Sequence, residues 1–335
     1  MRVFRQAGEP AVFTWAATSG TLTTMLIKTI AACSLLLIFG AADAATADIA
    51  LDHTGVRGTV ELPAGAAPAP VVLLIAGSGP TDRNGNSPGA TNDSLQQLAV
   101  ALAAQGIASV RYDKRGIAAS AAAAKGGEAG LTIDQYADDA AAWITQLKHD
   151  ARFKQVVVVG HSEGALIGLL AVNQVGADGY LSLEGAGERA SNVLRRQLAD
   201  RLPPALLQDN ERILAALEQG KPAGEVPPAL AALYRPSVQP YLVSWFRYDP
   251  AVELGKLKMH AGIVQGSSDL QVTVDDAHKL ERGRPGTPVV IIDGMNHVLK
   301  LVQGDLQAQM KAYTTPDLPV APQLVTAIVE FIGKR

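Results

Sequence analysis

Four consecutive valines, Val156–Val159, run straight into Gly160-His161-Ser162-Glu163-Gly164, and a second apolar run, ALIGLLAV, follows at once. An unbroken β-branched run reads as a strand covered on both faces, and the run after it as a helix packed back on the same sheet. The rhythm recurs along the chain. Val56–Leu62 alternates as a short strand, and Val71–Ile75 (VVLLI) is a buried strand ending in Ala-Gly-Ser-Gly-Pro. Residues 93–105 hold Leu95, Leu98 and Leu102 at helical spacing, residues 107–112 form a further strand, and residues 132–149 form an amphipathic helix. Such alternation predicts an α/β fold with a mostly parallel central sheet and helices on both faces.

After Tyr180–Glu184 the alternation stops. Residues 187 to about 250 contain only helical segments and proline turns. At roughly 60 residues this interval is short for a core of its own, so a helical cap inserted over the sheet is expected. Strands return at residues 262–265 and 289–292, and residues 324–332 close the chain as a helix. No fixed-period repeat is visible, so solenoid folds lack support. A 48% hydrophobic content supplies a full core, while 29 Lys+Arg against 32 Asp+Glu leave a net charge of −3. That balance provides neither a footprint for nucleic acid nor a polybasic membrane patch. A small-molecule partner is expected, and the oligomeric state is not legible.

Near the N-terminus, Met25 opens MLIKTIAACSLLLIFGAADA: Lys28, an apolar stretch from Thr29 to Phe39, then Ala42-Asp43-Ala44. A basic head, an apolar middle and a small-x-small end make a secretory signal peptide. Residues 1–44 are therefore expected to be an N-terminal extension and signal peptide that starts at Met25 and is cut after Ala44. Residues 45–335 are the folded domain. The apolar stretch is short of the roughly 20 residues a spanning helix needs, so no stable membrane anchor is expected after cleavage and the location is periplasmic or secreted. Cys33, the single cysteine, leaves with the signal. The mature chain then has no disulfide, thiolate nucleophile or cysteine zinc site, and neither a metal nor a cofactor is expected.

A serine between two glycines on a strand-to-helix turn is presented clear of the sheet, at a helix N-terminus where developing negative charge is stabilised. With 32 glycines in the chain the Gly-x-Ser-x-Gly match is weak by itself, and the strand and helix around it supply its weight. A serine hydroxyl needs a base and an orienting carboxylate, which follow such an elbow in the order acid, then histidine. Of six histidines, His297 lies just past the VVII strand in Asp293-Gly294-Met295-Asn296-His297 and is the base. His278 sits in a solvated helical stretch, His260 precedes a strand, and His161 packs within the elbow. Asp269, at the end of GIVQGSSD, is favoured as the acid over its rival Glu184. Asp275 and Asp276 read as first-turn helix residues. Two backbone N–H groups must meet the oxyanion: one from Glu163, the other from IAGSGPTDRNGN, where Ser78 is favoured and Gly77 or Gly79 are neighbours able to serve.

With these features in place, residues 51–332 resemble the α/β-hydrolase superfamily. The segments LIAGSGPTDRNGN, RYDKRG, GHSEG and QGSSDLQV are similar to those of bacterial EstD-type serine esterases. That resemblance implies the α/β-hydrolase fold, a Ser162/Asp269/His297 triad, a helical cap, and no metal or cofactor. The charges of Arg111, Asp113, Lys114 and Arg115 are then expected to fix a loop by ion pairs. One departure is local: Ala118 stands where such enzymes often have the second glycine of Gly-x-Gly-x-Ser. The expected activity is hydrolysis of small or medium acyl esters through an acyl-enzyme. Thioesterase, peptidase or acyltransferase chemistry on the same groups, or a non-catalytic binding role, are the alternatives. Leu233, Tyr234, Tyr241, Trp245 and Phe246 are candidates to line an acyl pocket or to be ordinary packing.

Overall fold

The computed structural model describes residues 44–65 and 68–334; the expected signal peptide, up to residue 43, lies outside the described residues. Two antiparallel strands come first, β1 (Ala45–Ala50) and β2 (Arg57–Leu62). Then follow β3 (Ala69–Ile75), helix α1 (Ser94–Ala103), β4 (Ala108–Tyr112) and α2 (Ile133–Lys148). Next are β5 (Phe153–His161), α3 (Glu163–Val175) and β6 (Gly179–Leu183). The helical interval holds α4 (Ala190–Ala199), α5 (Pro204–Glu218), α6 (Ala231–Tyr234), α7 (Gln239–Phe246) and α8 (Pro250–Gly255). The chain closes with β7 (Ala261–Gly266), α9 (Val274–Gly283), β8 (Val289–Ile292), α10 (Leu306–Ala312) and α11 (Pro322–Gly333).

The strands form one sheet in the order β1-β2-β4-β3-β5-β6-β7-β8, parallel from β4 to β8. Alternate residues explain why the central strands read as unbroken apolar runs. Val71, Leu73 and Ile75 of β3 join the core under α2 and α3 with Trp143 and Ile167. Val72 and Leu74 face the other way, into a core with Leu95 and Leu98 of α1 and Leu324 and Ile328 of α11. Every side chain along such a strand is buried on one face or the other, so period-2 alternation has nothing to record. Thr132 caps α2 by accepting from the Gln135 N–H, and Thr273 and Asp276 form a capping box at α9.

Strand direction decides where chemistry can gather. The loops after β3, β4, β5, β6, β7 and β8 all open at the carboxyl end of the parallel sheet, where ligand sites of open α/β sheets lie. The helical interval bears on this end: the Ile133 N–H of α2 donates to Ser244 Oγ of α7, and Arg247 and Tyr248 bond to Asp134. Tyr241 of α7 packs against Tyr136 of α2 with the rings tilted at 56° and their centroids 5.5 Å apart.

β5 can turn directly into α3 because two glycines let backbone meet backbone. A Cβ on Gly160 would stand 2.1 Å from the Gly164 carbonyl oxygen, and one on Gly164 would stand 2.2 Å from that of Ile75. Neither obstacle is a flexible side chain. Gly164→Ala is therefore expected to lose about 3 kcal/mol of stability in urea unfolding. Gly130→Ala, where a Cβ meets nothing within 4 Å, should stay within roughly 0.5 kcal/mol of the parent.

Candidate active site

Ser162 sits between those glycines with φ 55° and ψ −121°, a conformation that a non-glycine residue holds at a cost of roughly 1–3 kcal/mol. Its N–H donates to the Leu183 carbonyl of β6 at 3.0 Å, which pins the turn to the sheet. Glu163 is the first residue of α3, so its N–H has no acceptor inside the helix. Gly77, in the loop after β3, faces the elbow: a Cβ there would be 3.2 Å from Ser162 Cβ and 3.4 Å from His161 Nδ1.

The histidine and the carboxylate expected as base and acid meet on two other loops. His297 Nδ1 lies 2.7 Å from Asp269 Oδ2, and both residues are buried. The other carboxylate oxygen of Asp269 accepts from the Gln271 and Val272 N–H groups at 2.7 and 3.0 Å. Burial alone would raise the Asp269 pKa, but the charge and hydrogen bond of His297 and these two N–H groups outweigh it and hold it below its usual value. Asp269 Oδ2 engages Nδ1 of His297, and Nε2 has no hydrogen-bond partner among the described residues. Among the described residues no hydrogen bond links Ser162 Oγ to His297. The two neighbourhoods join through His161, whose ring centroid is 4.8 Å from that of His297.

His161 does more than pack. Its Nε2 donates to the His297 carbonyl oxygen at 2.8 Å, so the residue beside Ser162 holds the backbone that carries His297. Burial, then the neighbouring His297, depresses its pKa to about 3, and the ring stays neutral. From sequence His161 reads only as packing within the elbow, because no spacing rule singles out a ring that bonds a carbonyl 136 residues away. On the far side, Lys300 is fully buried and donates to the carbonyls of Thr315, Pro316 and Leu318, which anchors the loop just after His297.

Glu184, the rival acid, lies close by with Oε2 3.8 Å from His297 Nδ1 and 3.5 Å from His161 Nε2. It is Asp269 that holds the hydrogen bond. Burial first, and the Asp269 charge second, push the Glu184 carboxyl well above the ordinary range, so it keeps its proton while its neighbour is ionised. His161, Glu184 and His297 offer ligand atoms within 4.8 Å of one another. The ring nitrogens nearest Glu184, His161 Nε2 and His297 Nδ1, are both engaged in hydrogen bonds.

The charged run after β4 divides its work. Asp113 accepts from the Arg83 guanidinium at 2.8 Å and the Ala119 N–H at 3.1 Å. Arg115 grips both carboxylate oxygens of Asp139 on α2. Lys114 turns inward to Glu163 and Gly77. Ala118 keeps a left-handed backbone, φ 41°, so the alanine occupies the conformation a glycine would hold there without strain.

Beside Ser162 opens a cavity of about 460 Å³, within the range of small-molecule sites. Ser78, Lys114, Ser162 and Glu163 lie on its wall with Leu166, Leu169, Tyr136, Val193, Leu242 and Val272. Of the five candidates for an acyl pocket, Leu233, Tyr241 and Trp245 line it. Tyr234 and Phe246 instead are buried in the packing of the helical interval. Helical spacing alone cannot separate those two fates. His260 stacks on Phe331 at 4.2 Å, and the His278 side chain is half exposed.

A neutral buried carboxyl gives a signed pH effect. Above the ordinary carboxyl pKa of about 4.5 the unfolded chain has released the Glu184 proton while the folded chain retains it, so stability falls as pH rises. Glu184→Gln removes that dependence. Its melting temperature relative to the parent is expected to be higher at pH 8 than at pH 5, and an unchanged difference across that range would contradict the assignment.

Three comparisons with known proteins bear on the chain. Residues 89–186 match the family model described as Hydrolase_4, serine aminopeptidase, S33. Esterase EstD of Thermotoga maritima is 28% identical over 249 residues, which span 73% of this chain and 58% of the relative's length. Among solved structures, the α/β hydrolase GrgF from a Penicillium species superposes with a TM-score of 0.56 at 18% identity, covering 87% of this chain and 98% of that one. Est1E of Butyrivibrio proteoclasticus, solved with ferulic acid bound, gives 0.55 at 16% identity, covering 86% of this chain and all of that one. With the elbow and the parallel sheet, these matches show that the chain has the α/β-hydrolase fold and is similar to the esterase over most of its described length.

Proposed function

We propose that the protein is a serine carboxylic-ester hydrolase. The observation that carries the proposal is the buried Asp269–His297 hydrogen bond, held by His161 to an elbow serine at the wall of an apolar cavity. Ser162 Oγ attacks the ester carbonyl as His297 Nε2 takes its proton, and Asp269 stabilises the imidazolium. The carbonyl oxygen becomes an oxyanion facing the Glu163 and Ser78 N–H groups. The C–O bond to the alcohol breaks as the imidazolium returns the proton to the departing oxygen. Water then repeats the sequence on the acyl-enzyme, freeing the acid and Ser162. The acyl group, small or medium in size, is the part that suits the apolar wall.

The aminopeptidase chemistry in the description of the matched family model is less well supported. Recognition of an α-ammonium group calls for a free carboxylate in the site. Among the described lining residues, Glu163 is paired with Lys114, Glu128 with Arg235, and Glu188 with Arg196 and Lys279. Each negative charge is already matched by a cation of the same chain.

A fluorophosphonate probe is expected to label the native protein at Ser162, and a p-nitrophenyl ester series to be hydrolysed with a preference set by acyl length. Ser162→Ala should abolish labelling and lower kcat by roughly 10⁴-fold or more, with Asp269→Asn losing about 10³–10⁴-fold. Turnover of aminoacyl p-nitroanilides in preference to esters would instead favour the peptidase. Work outside the cytoplasm is also proposed, on residues 25–44 alone. N-terminal sequencing of exported protein is expected to begin at Ala45.

A further inference from the structure

Lys114 is a lysine in an unusual position. It is 1% exposed, yet it lies on the cavity wall beside the nucleophile. Its ammonium donates to the Gly77 carbonyl oxygen at 2.5 Å and to Glu163 Oε1 at 2.8 Å, and stands 5.3 Å from the centre of the Tyr136 ring. Burying an ammonium is expensive even when it is paired, and an apolar pair would serve packing as well. What distinguishes these two partners is their neighbours in the chain. Gly77 precedes Ser78 and Glu163 follows Ser162, so Lys114 grips one residue that carries an oxyanion N–H in the proposed mechanism, Glu163, and the carbonyl of the peptide unit that carries the other, the Ser78 N–H.

The geometry of the peptide unit makes the first grip directional. In a trans peptide the C=O of one residue and the N–H of the next point to opposite sides of the chain. Drawing the Gly77 oxygen onto Lys114 therefore turns the Ser78 N–H away from the ammonium. Among the described hydrogen bonds that N–H has no acceptor in the protein. The second grip fixes the side chain of the first residue of α3, whose own N–H is unpaired by helix geometry. One cation thus ties the loop after β3 to the start of α3 across the mouth where a carbonyl oxygen would sit.

We propose that Lys114 is a positioning residue that sets both oxyanion donors at once, by holding the Gly77 carbonyl and the Glu163 carboxylate together. The inference rests on the esterase mechanism proposed above. Its role is in the transition state: a loose Ser78 peptide still admits substrate but meets the developing charge badly. Losing one oxyanion donor lowers kcat by about 10²–10³-fold.

Lys114→Met alone strands a buried carboxylate, so the decisive protein is Lys114→Met/Glu163→Leu, in which both charges are gone and melting temperature should return close to the parent's. Its kcat on p-nitrophenyl esters is expected to stay about 10²-fold low with KM within threefold. Affinity for a trifluoromethyl ketone, which forms a tetrahedral adduct, should fall in proportion. Lys114→Arg keeps the charge pair and the fold, and should also lose kcat, because a planar guanidinium cannot reproduce both contacts. It decides the matter if the double variant does not fold. Parental kcat in a folded double variant, or in Lys114→Arg if the double fails, would overturn the inference, as would a kcat loss with the ketone affinity unchanged. Absence of ester turnover in the parent protein sinks the esterase proposal itself and takes this inference with it, whereas parental turnover with undisturbed variants sinks the inference alone.

Discussion

The structure depends on one close approach between two pieces of main chain. The first turn of α3 lies so near β3 and the end of β5 that no side chain fits at Gly160 or Gly164. Helix and strand in contact at that distance force the residue between them into a positive φ, and that residue is Ser162. Its strain is sustained by the buried core between α3 and the sheet, because relaxing the turn would pull α3 off Val158 and Ile75, against which Gly168 is also packed. Packing energy spread over many apolar side chains is thereby concentrated on the pose of one hydroxyl.

Around that turn the polar groups are arranged so that each fixes another. His161 holds the main chain of His297, Asp269 orients its ring, and Ser268 ties the acid loop to the histidine loop through the Met295 carbonyl. Glu184 and Asp269 share a small volume, and two charges there would repel, so one carboxyl is neutral and the other ionised. Environment separates two residues of the same chemistry into different roles, as it does in many enzymes.

Most of the architecture was legible because it rests on long-range burial written as local pattern. VVLLI and VVVV are strands buried on both faces, VVII is an apolar edge strand with Val290 and Ile291 exposed, and the run from Ile133 to Leu147 is a helix with one buried face. β1 and α10 were not legible. β1 carries Ala45, Thr46 and Asp48 on a largely exposed edge, and α10 is seven residues with Leu306 and Met310 in solvent, so neither needs an apolar stripe. At the site, position at strand ends pointed to Ser162, to His297 and to Asp269 with Glu184 as its rival, and the structure brings Asp269 and His297 into hydrogen bond. Lys114 could not be read that way. In Arg111-Tyr112-Asp113-Lys114-Arg115 the charges are consecutive, and only the path of the loop decides that the lysine turns inward while Arg115 turns toward α2.

The helical interval is joined to the rest by two kinds of contact with different physics. Arg235 with Glu128 and Arg247 with Asp134 are pairs whose side chains are between 38% and 58% exposed, and such pairs contribute little. The seat of α7 is made instead by Tyr241 and Leu242 among buried apolar side chains and by Ser244 beneath the first turn of α2. Added electrolyte shields the first kind and leaves the second untouched. Ionic strength therefore has little purchase on how the roof over the cavity is seated, whereas loss of bulk at Tyr241 acts on it directly.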